Sequence, residues 1–215
     1  TIPTAATESS SLYKGTVTPE TLLAYYACIT YVDAQVGVVI DAVERADLWN
    51  STVVVFISDH GYHTGHHGMW HKDSLFEQTC RVPMLIAAPG IAAGICSRIV
   101  ELVDLYPTFV ELAGAAPPAA LDGVSVLSLL DNPEMAWSKP AMTAIGRLDQ
   151  HDRRTHIGRS VRTARYRYTE WDDARQGREL YDFHADPKGI DNLADDESHA
   201  TIVADLRALL HDGKP

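Results

Sequence analysis

The stretch Ser58 to Lys72 reads Ser-Asp-His-Gly-Tyr-His-Thr-Gly-His-His-Gly-Met-Trp-His-Lys and holds the densest chemistry in the chain. Five of the ten histidines fall in it: His60, His63, His66, His67 and His71. Asp59 is a hard oxygen ligand, and a divalent cation held there would polarise an ester oxygen as a Lewis acid. Lys72 is a point charge able to hold a tetrahedral anion. Neutral imidazole suits zinc, so a zinc site built from the histidines stands beside that reading. Each residue also has a plainer role. Asp59 could cap the turn, Lys72 could be a solvated loop lysine, His63 and His66 could lie on the surface, and His71 could simply pack beside Trp70.

The elements around this loop say where it would sit. Thr52 to Ile57 is a continuous β-branched and aromatic run, too apolar for a half-exposed strand and suited to a central parallel one. Ligands of open α/β sheets bind beyond the carboxyl ends of such strands, which is where Asp59 and His60 fall. Upstream, Thr18-Pro19-Glu20 is a helix start, and apolar residues from Leu22 to Val43 recur at steps of three and four. This predicts a long helix to about Ala46 with one buried stripe. Val82 to Ala88 predicts a second buried strand, and Ile99 to Leu102 a third. Asp104 reads as an N-cap with Pro107 in the first turn and Gly114 as terminator. Ala115 to Pro118 is a link, and Leu121 to Leu130 reads as a short helix after a turn. After about Gly146 the alternation in 159–163, 166–171 and 179–183 predicts antiparallel strands, closed by a helix from about Ser198 to Leu210. The expected fold is α/β: a partial, mostly parallel sheet flanked by helices over 1–145, and a small α+β antiparallel subdomain over 146–215.

Composition narrows the function. The 215 residues are 46% hydrophobic and carry a net charge of -11, which leaves no basic surface for nucleic acid. A bound cation and one lysine can still invert that field locally for an anionic substrate. Cys28, Cys80 and Cys96 form no CxxC pair and read as free thiols. No unbroken apolar run approaches the ~18 residues of a membrane span. Thr1 to Lys14 has no signal-peptide core, so either the protein is cytoplasmic or its true N-terminus lies further upstream. Asn50-Ser51-Thr52 is an N-glycosylation triplet, a hint of a secretory route.

Beyond these readings, the chain resembles the sulfatases of the alkaline phosphatase superfamily, in particular the iduronate-2-sulfatase-like branch. Ser58 to Lys72 is similar to that family's second signature: Ser-Asp-His-Gly, a glycine-bounded turn with histidine, an aromatic, then lysine. Tyr31-Val32-Asp33 to Val36-Gly37, Val82-Pro83 to Pro89-Gly90, Val103-Asp104-Leu105-Tyr106-Pro107-Thr108, Ser160 to Tyr168, Glu179-Leu180-Tyr181-Asp182 and Asp186-Pro187 follow in family order, covering about 19–211. The resemblance implies that Asp59 and His60 belong to a calcium site and that Lys72 contacts the sulfate group. It implies that His60 could instead orient the nucleophile, that Tyr62 stands at the substrate pocket and that His67 shapes the loop. It also implies a periplasmic, lysosomal or secreted location and a sulfated small molecule or glycan as substrate.

Two departures matter. His66 stands where the family usually has glutamate. No cysteine sits in the C/S-x-P-x-R motif that yields the formylglycine nucleophile, and the early aspartate pair is missing. A missing N-terminal part of the catalytic domain is therefore expected as a partner, with no turnover from residues 1–215 alone and exposed apolar strand edges. Two other readings stay open: a zinc or manganese phosphodiesterase or phosphonate monoester hydrolase of the same superfamily, and a non-catalytic remnant.

Overall fold

The computed structural model describes residues 1–7, 18–117, 119–148 and 153–212. The link at Ala115 to Pro118 therefore lies partly outside the described residues, as does half of Thr1 to Lys14 (residues 8–14). After a single turn, α1 (Thr4–Thr7), comes the long helix α2 (Pro19–Arg45). It starts as its residues dictate. The Thr18 hydroxyl accepts from the Thr21 amide, and the Thr21 hydroxyl oxygen accepts from the Thr18 amide at 2.9 Å. Pro19 takes the first position, where no amide hydrogen is needed.

The expected buried stripe is absent: no residue of α2 is buried, and Tyr26, Val32 and Val39 of that stripe are 53%, 53% and 62% exposed. Periodicity specified an apolar face but not what covers it. By length and composition alone α2 is also long enough to cross a membrane, with a mean hydropathy of 1.4 in its most apolar window. No unbroken apolar run marks it in the sequence, because Thr30, Asp33 and Gln35 interrupt the helix.

Strand β1 (Val54–Ile57) forms as expected but does not pair in parallel. After the hairpin strands β2 (His63–Thr64) and β3 (Trp70–His71) and the short helix α3 (Glu77–Cys80), the chain returns as β4 (Met84–Ala87), which pairs antiparallel with β1. Val54 faces Ala87 and Ile57 faces Met84. A β-branched run records burial, not neighbour direction, so direction was open to correction. Phe56, Ile57 and Leu85 of this pair are 40%, 41% and 60% exposed, in line with the expected bare apolar edges.

The third strand is not there. Residues Leu102–Asp104 form a 3-10 turn that leads into α4 (Leu105–Leu112). Asp104 holds the cap position without capping α4. Its carboxylate instead accepts from the Glu101 and Val124 amides at 2.9 and 2.8 Å and from Lys139 at 3.0 Å. Those bonds draw the chain into a turn where an extended strand was predicted. Helix α5 (Leu127–Asp131) is shorter than the expected helix over Leu121 to Leu130 and begins six residues later.

The C-terminal part is the antiparallel unit the alternation predicts. Strands β5 (Ala141–Leu148), β6 (Thr155–Arg162), β7 (Tyr166–Trp171) and β8 (Arg178–Asp182) pair in sequence order, and helix α6 (Ala200–Asp212) packs on them. The sheet begins at Ala141, a few residues before the change of character near Gly146. Val161, Tyr168 and Leu180 lie opposite one another across three strands and are fully buried beneath Val203, Leu206 and Leu210 of α6. Side chains alternate faces along a strand, so Trp171 and Tyr181 point the other way. There they join Ala6, Met69, Leu75 and Phe76 in a second core. One face of the sheet thus carries α6, and the other carries α1 and the residues that follow the histidine-rich loop.

Candidate functional site

Residues 58–72 leave the tip of β1 and fold as a small hairpin on a support made by 74–80. His63 faces His71 and Thr64 faces Trp70 across β2 and β3. The turn between them needs left-handed backbone at Gly65 and Gly68, with φ of 112° and 69°, and also at His67, with φ of 55°. Because His63 and His71 are paired, Tyr62 and Lys72 flank the open end of the hairpin together. Asp59 stands three residues upstream of Tyr62, at most about 10 Å of chain away. The pairing sets Tyr62 and Lys72 beside the hairpin's open end, and Asp59 and His60 precede them at the tip of β1.

Asp59 projects into solvent with its side chain 85% exposed. The carboxylate accepts from the His60 amide at 2.9 Å and lies 3.6 Å from His60 Nε2. His60 is held in turn: its Nδ1 is 2.8 Å from the Gly61 carbonyl, and the Ser58 hydroxyl donates to the His60 carbonyl at 2.7 Å. Lys72 is exposed. The Tyr62 ring stacks on Tyr25 of α2 at 5.3 Å and meets Trp70 edge-on at 5.5 Å. Its hydroxyl lies 3.5 Å from His71 Nδ1.

The histidines divide by environment. His66 is exposed as expected, but His63 is fully buried, not at the surface. Its Nε2 lies 2.8 Å from the Ser74 hydroxyl, itself 2.6 Å from the Thr79 hydroxyl. Burial, with the nearby His67 and His66 rings, pulls the His63 pKa down to about 4. His63 is thus a neutral structural pin at neutral pH. His67 stacks on Phe76 with ring centres 4.2 Å apart, and burial lowers its pKa as well. His71 contacts Tyr62 rather than serving only Trp70.

Sequence reading missed the support. Ser74, Phe76, Glu77 and Thr79 carry no motif that marks them. Yet the Gly61 amide donates to the Thr79 carbonyl at 2.8 Å, and a Cβ at Gly61 would lie 2.1 Å from the Gln78 carbonyl oxygen. The one signal available was Gly61 itself, a glycine directly after the strand tip.

For a cation, Asp59 and His60 offer one carboxylate and one imidazole. Calcium takes six to eight oxygen ligands, so Asp59 and His60 fit part of a coordination shell and the remainder would come from elsewhere. Among the described residues, three metal-capable side chains converge at one place, Glu170, Asp173 and His211, far along the chain from the loop. There Glu170 already accepts from Tyr168, Arg207 and His211, so its charge is matched without an ion.

Comparison with known proteins identifies the family. Residues 3–115 match the family model described as Sulfatase, and residues 65–214 match N-sulphoglucosamine sulphohydrolase, C-terminal. The chain belongs to the sulfatase family. It is 32% identical over 197 residues to arylsulfatase K of Mus musculus, covering 87% of this chain and 35% of that protein. It is 34% identical over 188 residues to the delta 4,5-hexuronate-2-O-sulfatase of Bacteroides thetaiotaomicron, covering 84% and 38%. The crystal structure of the phosphonate monoester hydrolase of Agrobacterium radiobacter matches with a TM-score of 0.77 at 25% identity, covering 88% of this chain and 40% of that one. The chain thus spans a little over a third of the length of the curated relatives it matches. The fold is of the alkaline phosphatase and sulfatase type.

Proposed function

We propose that this chain contributes the cation-side and anion-side groups of a sulfuric ester hydrolase that removes sulfate from a sulfated sugar or another organic sulfate. The observation that supports the reading is the hairpin directly after β1, in which an exposed Asp59 with its neighbour His60 leads into Tyr62 and an exposed Lys72 follows its second strand. Names among the relatives, including a hexuronate-2-O-sulfatase, support a sulfated sugar as substrate.

In this reading Asp59 and His60 hold one side of a divalent cation, calcium by its preference for oxygen. The cation would supply Lewis-acid stabilisation of the sulfate oxygens. Lys72 binds the sulfate group as a point charge and meets the charge that develops as the ester bond breaks. His60, oriented by its contact with the Gly61 carbonyl, is placed to align a nucleophile as well as a cation. Tyr62 lines the substrate side, and His67 keeps the turn in shape against Phe76. The nucleophile, a formylglycine made from cysteine or serine, and the remaining cation ligands would come from a preceding part of the catalytic domain. The uncovered apolar face of α2 and the bare edges of β1 and β4 are the surfaces such a part would cover. On that basis residues 1–145 are the C-terminal part of the catalytic domain and 146–215 an α+β subdomain attached to it. The exported setting usual for such enzymes is periplasm, lysosome or medium.

The likeness to a phosphonate monoester hydrolase supports a second reading, a zinc or manganese phosphodiesterase or phosphonate monoesterase. The test is to assay the full-length protein against sulfated monosaccharides and a phosphonate monoester, with its metal content measured. Sulfate release with one bound calcium supports the sulfatase. Phosphonate hydrolysis with two zinc or manganese ions supports the second reading. No hydrolysis of either substrate, with no C/S-x-P-x-R motif upstream, leaves a non-catalytic remnant.

A further inference from the structure

Glu77 lies in α3, outside every motif of the loop, yet two arginines from different strands converge on it. Arg162 of β6 donates through Nε at 3.0 Å and through a terminal nitrogen at 3.3 Å, one bond to each carboxylate oxygen. Arg167 of β7 donates at 2.8 Å. All three are withdrawn from water, with side chains 16%, 11% and 4% exposed. Arg167 also donates to the Ser160 hydroxyl, and Arg162 lies over the Phe183 ring, so both guanidiniums are fixed to the sheet. Burial pushes the Glu77 carboxyl up, but the two guanidiniums more than offset this and hold it below the usual carboxylate range.

The segment that Glu77 anchors is the floor of the loop. Thr79 takes the Gly61 amide, Ser74 takes His63, and Phe76 takes the His67 ring. Gly61 sits two residues after Asp59, so any shift of α3 is passed through that amide to the end of β1. We propose that Glu77 is a positioning residue: its grip by Arg162 and Arg167 locks the C-terminal antiparallel sheet to the loop and sets where Asp59, His60 and Lys72 stand. This rests on the sulfatase reading only for its effect on turnover. The C-terminal subdomain is then part of the active-site architecture, not an appendage to it.

The test is Glu77→Gln in the full-length protein, compared with Arg165→Ala. The latter, in the turn between β6 and β7, breaks the Arg165–Asp182 pair, which shares no partner with Glu77. Amide exchange at Gly61 should speed up about tenfold or more in Glu77→Gln and stay unchanged in Arg165→Ala. Sulfate-ester turnover should fall about tenfold or more in kcat with KM within about twofold, because a misplaced group costs rate more than binding. Arg162→Lys keeps the charge and loses the two-pronged contact, so it should show the same changes in smaller measure. It also serves if Glu77→Gln does not fold. Unchanged Gly61 exchange in both Glu77→Gln and Arg162→Lys overturns the proposal, as does an equal loss of turnover in Arg165→Ala at matched Tm. If the wild-type protein hydrolyses no sulfate ester, the sulfatase reading fails while the exchange data still decide the clamp.

Discussion

His63 shows how one side chain acquires a job its type did not announce. It is buried, bonded to Ser74 and held neutral, so it must charge only when the chain unfolds or the pH falls far. With a folded pKa near 4 against about 6.5 unfolded, the unfolded state binds more protons between those values, and stability falls as pH drops from about 6.5 toward 4. The loss is on the order of 3 kcal/mol for this group. Denaturant titrations of the full-length protein across that range should show the decline, and His63→Gln should flatten it while lowering stability at neutral pH. Lys72 presents the opposite case, an exposed charge with no structural duty. Lys72→Ala should leave Tm within a degree or two and cut kcat/KM about 10²- to 10³-fold on a sulfate ester, the size seen when an oxyanion contact is lost. Equal activity in that variant would remove Lys72 from the site.

At the scale of elements, the hairpin has its position because it lies against α3 rather than because its own strands are long. Gly61 is where the contact is closest. Gly61→Ala would drive a methyl into the Gln78 carbonyl, so it should cost about 3 kcal/mol in a denaturant melt or displace the tip of β1. The other side of the sheet rests on α6. Leu206→Ala should cost about 2–5 kcal/mol, since its neighbours Val161, Tyr168 and Leu180 are too tightly buried to close the gap. These elements were legible in unequal measure. Helix α2, with its threonine cap and proline, and the alternating strands β6 to β8 could be read from local residues. The pairing of β1 with β4 and the turn at Leu102–Asp104 could not. Strand direction depends on how the chain returns, and that turn depends on bonds from Asp104 to amides as far away as Val124.

At the scale of the whole molecule, the exposed stripe of α2 and the bare β1–β4 pair set the solution behaviour. Residues 1–215 alone should bind a hydrophobic dye, associate, and release no sulfate from a sulfated sugar. A monomeric, cooperative melt without dye binding would show that these surfaces need no cover. Removing divalent cations from the full-length protein with a chelator should abolish activity, and adding calcium should restore it; recovery with zinc alone would favour the phosphonate-type reading. The sequence by itself determined the sulfatase family, helices α2, α4 and α6, strands β1, β4 and β6 to β8, and the residues able to bind a cation and an anion. Those follow from side-chain chemistry and local periodicity, which short stretches of chain express on their own. Only the tertiary structure decided that His63 is a buried pin, that α2 lies uncovered, and that Glu77 reaches two arginines 85 and 90 residues away. Such contacts join stretches that carry no mark of one another, so they exist only once the chain has closed on itself.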